Sequence, residues 1–194
     1  MTDAILIFCS TLGYGALHSL LASLPVKAAA RRMFGSWADH FYRLIFNFLA
    51  LGTLLPLLAL VAWKPGPVLV IVRWPAAVIP VGIQLVALWL MALAFRNSEP
   101  AYFLGIGQLG TETSSGGLVT TGAYRVVRHP LYSTGLLILW CFPILTAGTL
   151  AFDAGITLYV LIGSELEERR LIVQFGDAYL RYRKKVARLI PFLF

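Results

Sequence analysis

Four long apolar stretches, separated by polar segments, dominate the hydrophobic pattern of the chain. A helix needs about 20 apolar residues to cross a bilayer, and the first three stretches have that length. The fourth, residues 131–163, is too long for one crossing at ~1.5 Å per residue and short for two. Pro143 and Gly148 favour a break near its middle. The pattern therefore predicts spans at about residues 4–24, 41–63, 75–95, 131–147 and 148–163.

Composition and charge agree with this pattern. The chain is 59% hydrophobic and 13% charged, whereas a soluble domain carries roughly 25% charge. With five spans, all 16 Lys and Arg residues except Lys64 and Arg73 fall on one side of the membrane. This positive-inside asymmetry predicts an integral membrane protein, of the bacterial inner membrane, with its N-terminus outside and its C-terminus in the cytoplasm. It also explains the net charge of +7 without a nucleic-acid partner.

The last part of the chain, residues 164–188, has helical periodicity, and Gly176 is expected to break or bend this helix. One apolar and aromatic stripe contains Glu168, Leu171, Phe175, Tyr179, Tyr182 and Val186. A short interfacial helix is expected around Lys27, after the first span. The predicted fold is a single all-α polytopic membrane domain over residues 1–194. It has five transmembrane helices (the last two a short hairpin), a cytoplasmic loop at 96–130 and a cytoplasmic C-terminal amphipathic helix.

Gly105, Gly107 and Gly110 match the spacing of the dinucleotide-binding fingerprint. That motif requires a preceding strand, a following helix and an acidic residue about 20 positions later. Here a membrane span precedes the glycines, and no acidic residue occurs between Glu112 and Asp153. We therefore predict that the glycines let a loop fold tightly over the membrane surface.

A dense polar cluster lies at residues 122–132, where the polar loop meets the fourth apolar stretch. Arg and Tyr residues suit an interfacial anchor, but an Arg128-His129-Pro130 turn favours a helix that starts after it. Such a turn would hold Arg128 and His129 just before a helix N-terminus, which attracts anions. The sequence leaves two interpretations of the cluster open, an interfacial anchor and a binding site. In the same way, His129 is either a ligand-binding or a structural histidine. A metal site is not expected, because no Cys or carboxylate is near in sequence.

Glu165, Glu167 and Glu168 follow the fifth predicted span and so lie on the same side of the membrane as Arg128 and His129. Acidic residues in a first helical turn are ordinary complements of the helix dipole. Alternatively, together with aromatic rings, they would bind a cationic ligand by charge pairing and cation–π attraction.

Polar side chains also lie at the cytoplasmic ends of the first two spans. They are His18, Ser19, Ser23, Lys27, Tyr42, Arg43 and Asn47. Polar residues at membrane depth usually face the bundle interior. They either form hydrogen bonds between helices or line a polar pocket for a substrate.

Two separated motifs resemble the isoprenylcysteine carboxyl methyltransferase and phospholipid methyltransferase group. The first motif is Gly122, Tyr124, Arg128, His129, Pro130 and Tyr132; the second is Glu167, Glu168, Phe175, Gly176, Tyr179 and Tyr182. The residues His18, Ser19, Ser23, Lys27, Tyr42, Arg43 and Asn47 of the N-terminal half resemble the methanethiol S-methyltransferase and NnrU-type branch. The chain departs from the family pattern at Arg169 and Arg170, where an apolar continuation is expected.

The resemblance implies S-adenosylmethionine as the methyl donor and a cytoplasm-facing site. The cofactor-binding residues it implies are Gly122, Tyr124, His129, Pro130, Tyr132, Glu167, Glu168 and Tyr179. The expected acceptor-binding residues are His18, Lys27, Tyr42 and Asn47, with Arg128 and Arg43 as candidate catalytic cations that favour an anionic acceptor. The expected reaction is methylation of a small or lipophilic acceptor that enters from the bilayer, in the first place a thiol. The alternatives are a prenylcysteine carboxylate, a lipid amine, or a non-catalytic membrane protein; no obligate protein partner is evident.

Overall fold

The computed structural model describes residues 2–109 and 117–193, so Gly110 and Glu112 lie outside the described residues. The helices are α1 (Thr2–Ala22), α2 (Leu24–Phe34), α3 (Ser36–Trp63), α4 (Val78–Arg96), α5 (Pro100–Leu104), α6 (Pro130–Trp140), α7 (Ala147–Phe175) and α8 (Asp177–Arg183). Two short strands, β1 (Val68–Ile71) and β2 (Ile144–Thr146), form an antiparallel pair. Within the described residues, four helices, α1, α3, α4 and α7, are long and apolar enough to cross a membrane. The protein is therefore an all-α integral membrane protein.

The first three predicted spans correspond to α1, α3 and α4, and the expected interfacial helix corresponds to α2. The helix α3 begins earlier than predicted, at Ser36, because its first turns are polar and hydropathy does not detect them. Gly35, with φ of 59°, separates α2 from α3. Arg31 and Asp39 pair across this corner at 3.3 Å, which fixes α2 against the start of α3.

The second half of the chain differs from the prediction at its helix boundaries. α7 begins at Ala147, where Thr146 and Thr149 form a capping box, and continues for 29 residues to Phe175. The predicted fifth span and tail helix are thus one continuous helix up to Gly176, because no residue between 164 and 175 interrupts the backbone hydrogen bonds. Gly176 ends α7, as expected, but only Asp177–Arg183 of the remaining tail is α-helical. The prediction of one tail helix over 164–188 is therefore wrong.

Contacts between loops show which helix ends lie together. At one end, Lys64 after α3 pairs with Asp3 of α1 at 2.7 Å, and β1 pairs with β2. The amide of Gly148 donates to the carbonyl of Pro65 at 2.8 Å. A Cβ on Gly148 would lie 2.9 Å from that same oxygen, so glycine permits this close approach at the start of α7. The predicted break near the middle of residues 131–163 lies between α6 and α7. At the opposite end, Tyr42 Oη donates to the carbonyl of Leu21 at 2.5 Å.

Gly105 lets the loop after α4 pack against α3. Gly105 has φ of 87°, and a Cβ there would lie 2.6 Å from the backbone nitrogen of Leu44. The residues before Gly105 are helical, in α5, rather than a strand. This close approach of two backbones is the reason for glycine at position 105, as the sequence predicted, and it leaves the dinucleotide-binding motif without its structural context.

Helix α1 packs closely along α7, and two glycines make this contact possible. A Cβ on Gly15 would lie 2.6 Å from Cδ2 of Tyr159, and a Cβ on Gly155 would lie 2.8 Å from Cγ2 of Thr11. At the end near β1 and β2, a buried core of Ile7, Leu57, Val61, Ala151 and Phe152 joins α1, α3 and α7. Large apolar side chains elsewhere face outward, as expected for helices surrounded by lipid.

We expect Gly15→Ala to lower the free energy of unfolding by about 1–3 kcal/mol, because the added methyl overlaps the ring of Tyr159. Thermal unfolding of the purified protein in detergent measures the effect. Gly13→Ala is the matched control, since it lies in the same helix and has no atom within 4 Å of an added Cβ. Equal melting temperatures for the two variants would contradict the close packing of α1 against α7.

Candidate active site

The Arg128-His129-Pro130 turn is held in place by the C-terminal segment of the chain. Pro130 is the first residue of α6 and His129 caps it, as the sequence predicted. The amide of Arg128 donates to the carbonyl of Ala187 at 2.8 Å, and that of His129 to the carbonyl of Arg188 at 3.2 Å. Both side chains are buried. These contacts within the protein thus fix the turn before any ligand binds.

Glu168 is the centre of a buried ion cluster that joins α7 to this turn. Its side chain is 1% exposed. Its Oε1 accepts from Arg128 Nε at 2.7 Å and lies 3.3 Å from His129 Nε2, while Arg183 Nε lies 3.2 Å from Oε2. Arg128 also donates through Nη1 to the carbonyls of Arg183 and Val186. The structure therefore gives Arg128 an internal structural role, and it places no exposed part of Arg128 where an acceptor would contact it.

Glu167 differs from its neighbour because its side chain is 40% exposed. Its Oε2 accepts from Tyr132 Oη at 2.9 Å and lies 3.7 Å from His129 Nδ1. The rings of His129 and Tyr132 stack, with centroids 5.5 Å apart. His129 thus lies between the two glutamates, and Glu167 is the carboxylate of the pair that a ligand can reach. Neither glutamate is in a first helical turn, since α7 begins at Ala147, so the helix dipole does not explain them.

Three tyrosines lie close to the two glutamates. Burial raises the pKa of Tyr182 to about 12, and its hydroxyl donates to the carbonyl of Tyr124 at 2.6 Å. Burial and the nearby Glu167 raise the pKa of Tyr124. Burial and the nearby Glu168 also raise the pKa of Tyr179, whose side chain is 1% exposed. All three rings therefore stay neutral at physiological pH.

Two polar atoms of this cluster are buried and have no hydrogen-bond partner among the described residues. They are Oε2 of Glu168 and the hydroxyl of Tyr179. Arg183 lies beside the carboxylate but outside hydrogen-bond geometry. Buried polar groups are nearly always paired in folded proteins. Such orphaned atoms therefore mark a place where a polar ligand or water completes the site.

Gly122 begins the short 3₁₀ helix that contains Tyr124. It has φ of 60°, which favours glycine, and a Cβ at this position would clash with the side-chain amide of Asn97 at the end of α4. The structure gives a steric reason for glycine at this position. This glycine lets the short 3₁₀ helix Gly122–Arg125 pack against α4 and so places Tyr124.

A basic cluster lies near the carboxylates, formed by Lys27 of α2, Arg43 of α3 and Arg170 of α7. Desolvation lowers the pKa of Lys27, and the charges of Arg43 and Arg170 lower it further. Arg170 is also within electrostatic reach of Tyr132 and Tyr159. Among the described residues, no ion pair involves these three cations. The cluster therefore attracts an anion.

Sequence reasoning missed Arg170 and Tyr159 as site residues. Both lie on α7, eleven residues apart, which is about three helical turns and places them on one face. Arg169, by contrast, is exposed and pairs with Glu165 at 3.3 Å. The signal was the departure from the apolar family pattern at these two arginines. Arg170 lies three residues after Glu167, so the two share a face of the helix. Arg169 lies two residues after Glu167 and therefore points away from that face.

Of the four predicted acceptor-binding residues, two have structural hydrogen bonds instead. Tyr42 donates to the carbonyl of Leu21, at the end of α1. Asn47 donates to the carbonyls of Phe103 and Leu104 at 3.1 and 2.9 Å, and so caps α5. The hydrogen-bonding alternative is therefore what the structure shows at both positions. Lys27 belongs to the basic cluster.

His18 lies inside the bundle, between α1, α3 and α7. Its Nδ1 is 2.7 Å from the hydroxyl of Tyr159, and its ring packs on Phe46 with centroids 4.7 Å apart. Tyr159 is itself within electrostatic reach of Glu167 and Arg170. The His18–Tyr159 pair thus connects the polar residues of α1 with the carboxylates and the basic cluster.

Comparison with known proteins gives relatives along most of the chain. The chain is 35% identical over 92% of its length to methanethiol S-methyltransferase 2 of Bradyrhizobium diazoefficiens, of which it covers 72%. It is 30% identical over 88% of its length to methanethiol S-methyltransferase 1 of the same organism, of which it covers 64%. A shorter region, 39% of the chain, is 40% identical to protein-S-isoprenylcysteine O-methyltransferase of Xenopus laevis. No family model matches the chain, and no solved structure matches it.

Proposed function

Because this chain belongs to the methanethiol S-methyltransferase family, we propose that it transfers a methyl group from S-adenosylmethionine to a small thiol. The observation that carries the proposal is the meeting of two distant motifs. His129 and Tyr132 precede Glu167 and Glu168 by more than 30 residues, yet their side chains contact each other. Two relatives named for methanethiol match 92% and 88% of the chain, whereas those named for prenylcysteine match 39% and 40% of it, which favours a thiol over a carboxylate.

The chemistry of the described residues fits S-adenosylmethionine. Its sulfonium is a cation, and the half-exposed carboxylate of Glu167, beside the ring of Tyr132, supplies charge pairing and cation–π attraction. The hydroxyl of Tyr179, which has no partner among the described residues, supplies hydrogen-bonding capacity for its polar groups. We propose that Glu167, Tyr132, Tyr124 and Tyr179 contact the donor. His129 and Glu168, whose side chains contact each other, and Pro130, which begins α6, would then position them.

The bound donor supplies an activated methyl group, and the chain supplies alignment and charge. Alignment of two reactants can supply ~7–11 kcal/mol of a barrier. Lys27, Arg43 and Arg170 would favour the thiolate form of the acceptor or hold the carboxylate of the donor. Arg43 lies at the edge of this region, with Cζ 6.0 Å from the ring centroid of Phe103.

We propose a five-span topology with the site at the cytoplasmic face. The pairing of β2 with β1 supports a hairpin, since it places the residues between α6 and α7 beside the turn that follows α3. Lys64 of that turn pairs with Asp3, at the end proposed to face outward. In this topology α6 and the strand after it cross the bilayer once, α7 returns, and residues 1–194 form a single domain in the bacterial inner membrane. The remaining partners are the bilayer and the acceptor.

Calorimetry of detergent-purified protein tests the proposal. We expect the wild type to bind S-adenosylmethionine and its demethylated product. Tyr132→Phe should weaken binding of the donor about tenfold, since the hydroxyl that holds Glu167 is lost and ~1.4 kcal/mol corresponds to a factor of ten. A cooperative unfolding transition for each sample shows that the protein is folded. Absence of donor binding to folded wild-type protein would contradict the proposal.

A further inference from the structure

His18 is connected to the basic cluster through Tyr159, whose hydroxyl lies 2.7 Å from His18 Nδ1 and which is within electrostatic reach of Arg170. Its ring is fixed on three sides, by Tyr14 of its own helix, by Phe46 of α3 and by Tyr159 of α7. We infer that His18 removes the proton of the acceptor thiol and that Tyr159 positions the ring for this step. This inference rests on the proposed thiol methylation.

A thiol of ordinary acidity needs such a base. The side-chain thiol of cysteine has a pKa of about 8.5, and the thiolate is the form that acts as a nucleophile. Nearby cations raise the thiolate fraction, but the proton still has to be accepted by some group. The Lys27, Arg43 and Arg170 cations of the basic cluster are not acceptors in their charged forms.

The other candidate bases already have partners. Glu168 is buried among Arg128, His129 and Arg183, and Glu167 accepts from Tyr132. His129 lies against both of these carboxylates. His40 is exposed and bonds through Nδ1 to the carbonyl of Ser36 in its own helix. Within the described part of the chain, His18 Nε2 is the ring nitrogen without a partner that lies beside the site.

The inference requires one of the two tautomers of His18, and the hydrogen bond to Tyr159 is compatible with it. A neutral imidazole carries one proton, so one nitrogen donates and the other accepts. With the Tyr159 hydroxyl as acceptor from Nδ1–H, at the observed 2.7 Å, Nε2 is free to accept a proton. The partner of Nδ1 thus sets the protonation of Nε2, as is usual for catalytic histidines. Tyr159 is then a positioning residue, and Gly15 permits its ring to pack against α1.

The step balances as a proton transfer followed by methyl transfer. The S–H bond of the thiol breaks, the proton moves to His18 Nε2 and the electron pair stays on sulfur. The thiolate then forms a new bond to the methyl carbon, while the bond between that carbon and the donor sulfur breaks and its electron pair returns to the donor. The thioether and the demethylated donor are neutral at sulfur, and His18 releases its proton to the cytoplasm.

Two thiols of similar size but different acidity test the inference. Ethanethiol is protonated at pH 7, whereas the fluorine atoms of 2,2,2-trifluoroethanethiol make its thiol much more acidic. A general base contributes typically about 10²–10⁴-fold in rate. We therefore expect His18→Asn to lower kcat for ethanethiol at least about a hundredfold, and for the acidic thiol less than tenfold. Tyr159→Phe should show the same selectivity with a smaller loss.

His40→Asn is the matched control, because His40 is exposed at the start of α3 and bonds within its own helix. It should leave kcat for both thiols unchanged. Equal losses for both thiols in His18→Asn, or no loss, would overturn the inference, because a structural defect does not distinguish thiols by acidity. Donor binding and wild-type turnover are measured first. A failure there counts against the proposed function, whereas unselective losses after normal wild-type turnover count against His18 alone.

Discussion

Replacing Glu168 by alanine is expected to lower the free energy of unfolding by about 3–5 kcal/mol. The carboxylate is 1% exposed and lies against Arg128, His129 and Arg183. Removal leaves Arg128 buried with a charge that only carbonyl groups compensate. The turn before α6 and the C-terminal segment lose their common attachment to α7. Thermal or denaturant unfolding in detergent at neutral pH measures the loss.

Glu165→Ala provides the control for this prediction on the same helix. Glu165 pairs with Arg169 at 3.3 Å and with Arg188 at 3.1 Å, but its side chain is 39% exposed. Exposed pairs contribute about 0–1 kcal/mol, so this variant should remain close to the wild type. Similar losses in the two variants would show that Glu168 is not the centre of a buried cluster. The expected instability also makes Glu168 variants poor probes of donor binding.

Replacing Glu167 by lysine is expected to weaken binding of S-adenosylmethionine at least about a hundredfold, which corresponds to ~2.7 kcal/mol. The substitution puts a cation where the proposed site holds a carboxylate for the sulfonium, and juxtaposed like charges cost several kcal/mol. The side chain is 40% exposed, so the protein should still fold. Calorimetry with the donor and with its demethylated product measures the change. The loss should be larger for the charged donor than for the product.

Glu165→Lys makes the same change of charge two positions earlier and is the matched control. Its side chain pairs with Arg169 and Arg188 and not with any residue of the proposed site. We expect its donor affinity to stay within a fewfold of the wild type. Equal affinities of the Glu167→Lys variant and the wild type, both folded, would contradict the proposed position of the sulfonium.

The sequence predicted the apolar helices well because their signal is local. Runs of apolar residues located α1, α3 and α4, and Pro130 and Gly176 located a helix start and a helix end. The continuation of α7 past residue 164 was missed for the same reason. Hydropathy changes where the chain leaves the apolar region, but the backbone hydrogen bonds of a helix do not depend on hydropathy. The pairing of β1 with β2 joins residues far apart in sequence and gave no signal.

The site residues that belong to a sequence motif were predictable. Contacts between side chains of different helices were not. The resemblance selected His129, Tyr132, Glu167 and Glu168, and the structure brings these four together. The same resemblance could not separate the accessible carboxylate of the pair from the buried one, because burial depends on Arg128 and Arg183.

Tyr159 lies in an apolar stretch, and nothing in the neighbouring sequence indicates its contact with His18. Asn47 and Tyr42 were expected in the pocket, yet each satisfies a backbone carbonyl of a neighbouring segment. Both residues therefore form hydrogen bonds between segments, which is one of the two interpretations that the sequence left open.

The most direct test of the central claim is methyl transfer by the purified wild-type protein in detergent or liposomes. The protein is mixed with S-adenosylmethionine that carries an isotopically labelled methyl group and with methanethiol. We predict labelled dimethyl sulfide, formed in equal amount to the demethylated donor. No labelled thioether from a protein that unfolds cooperatively, whether or not it binds the donor, would contradict the assignment of thiol methylation to this chain.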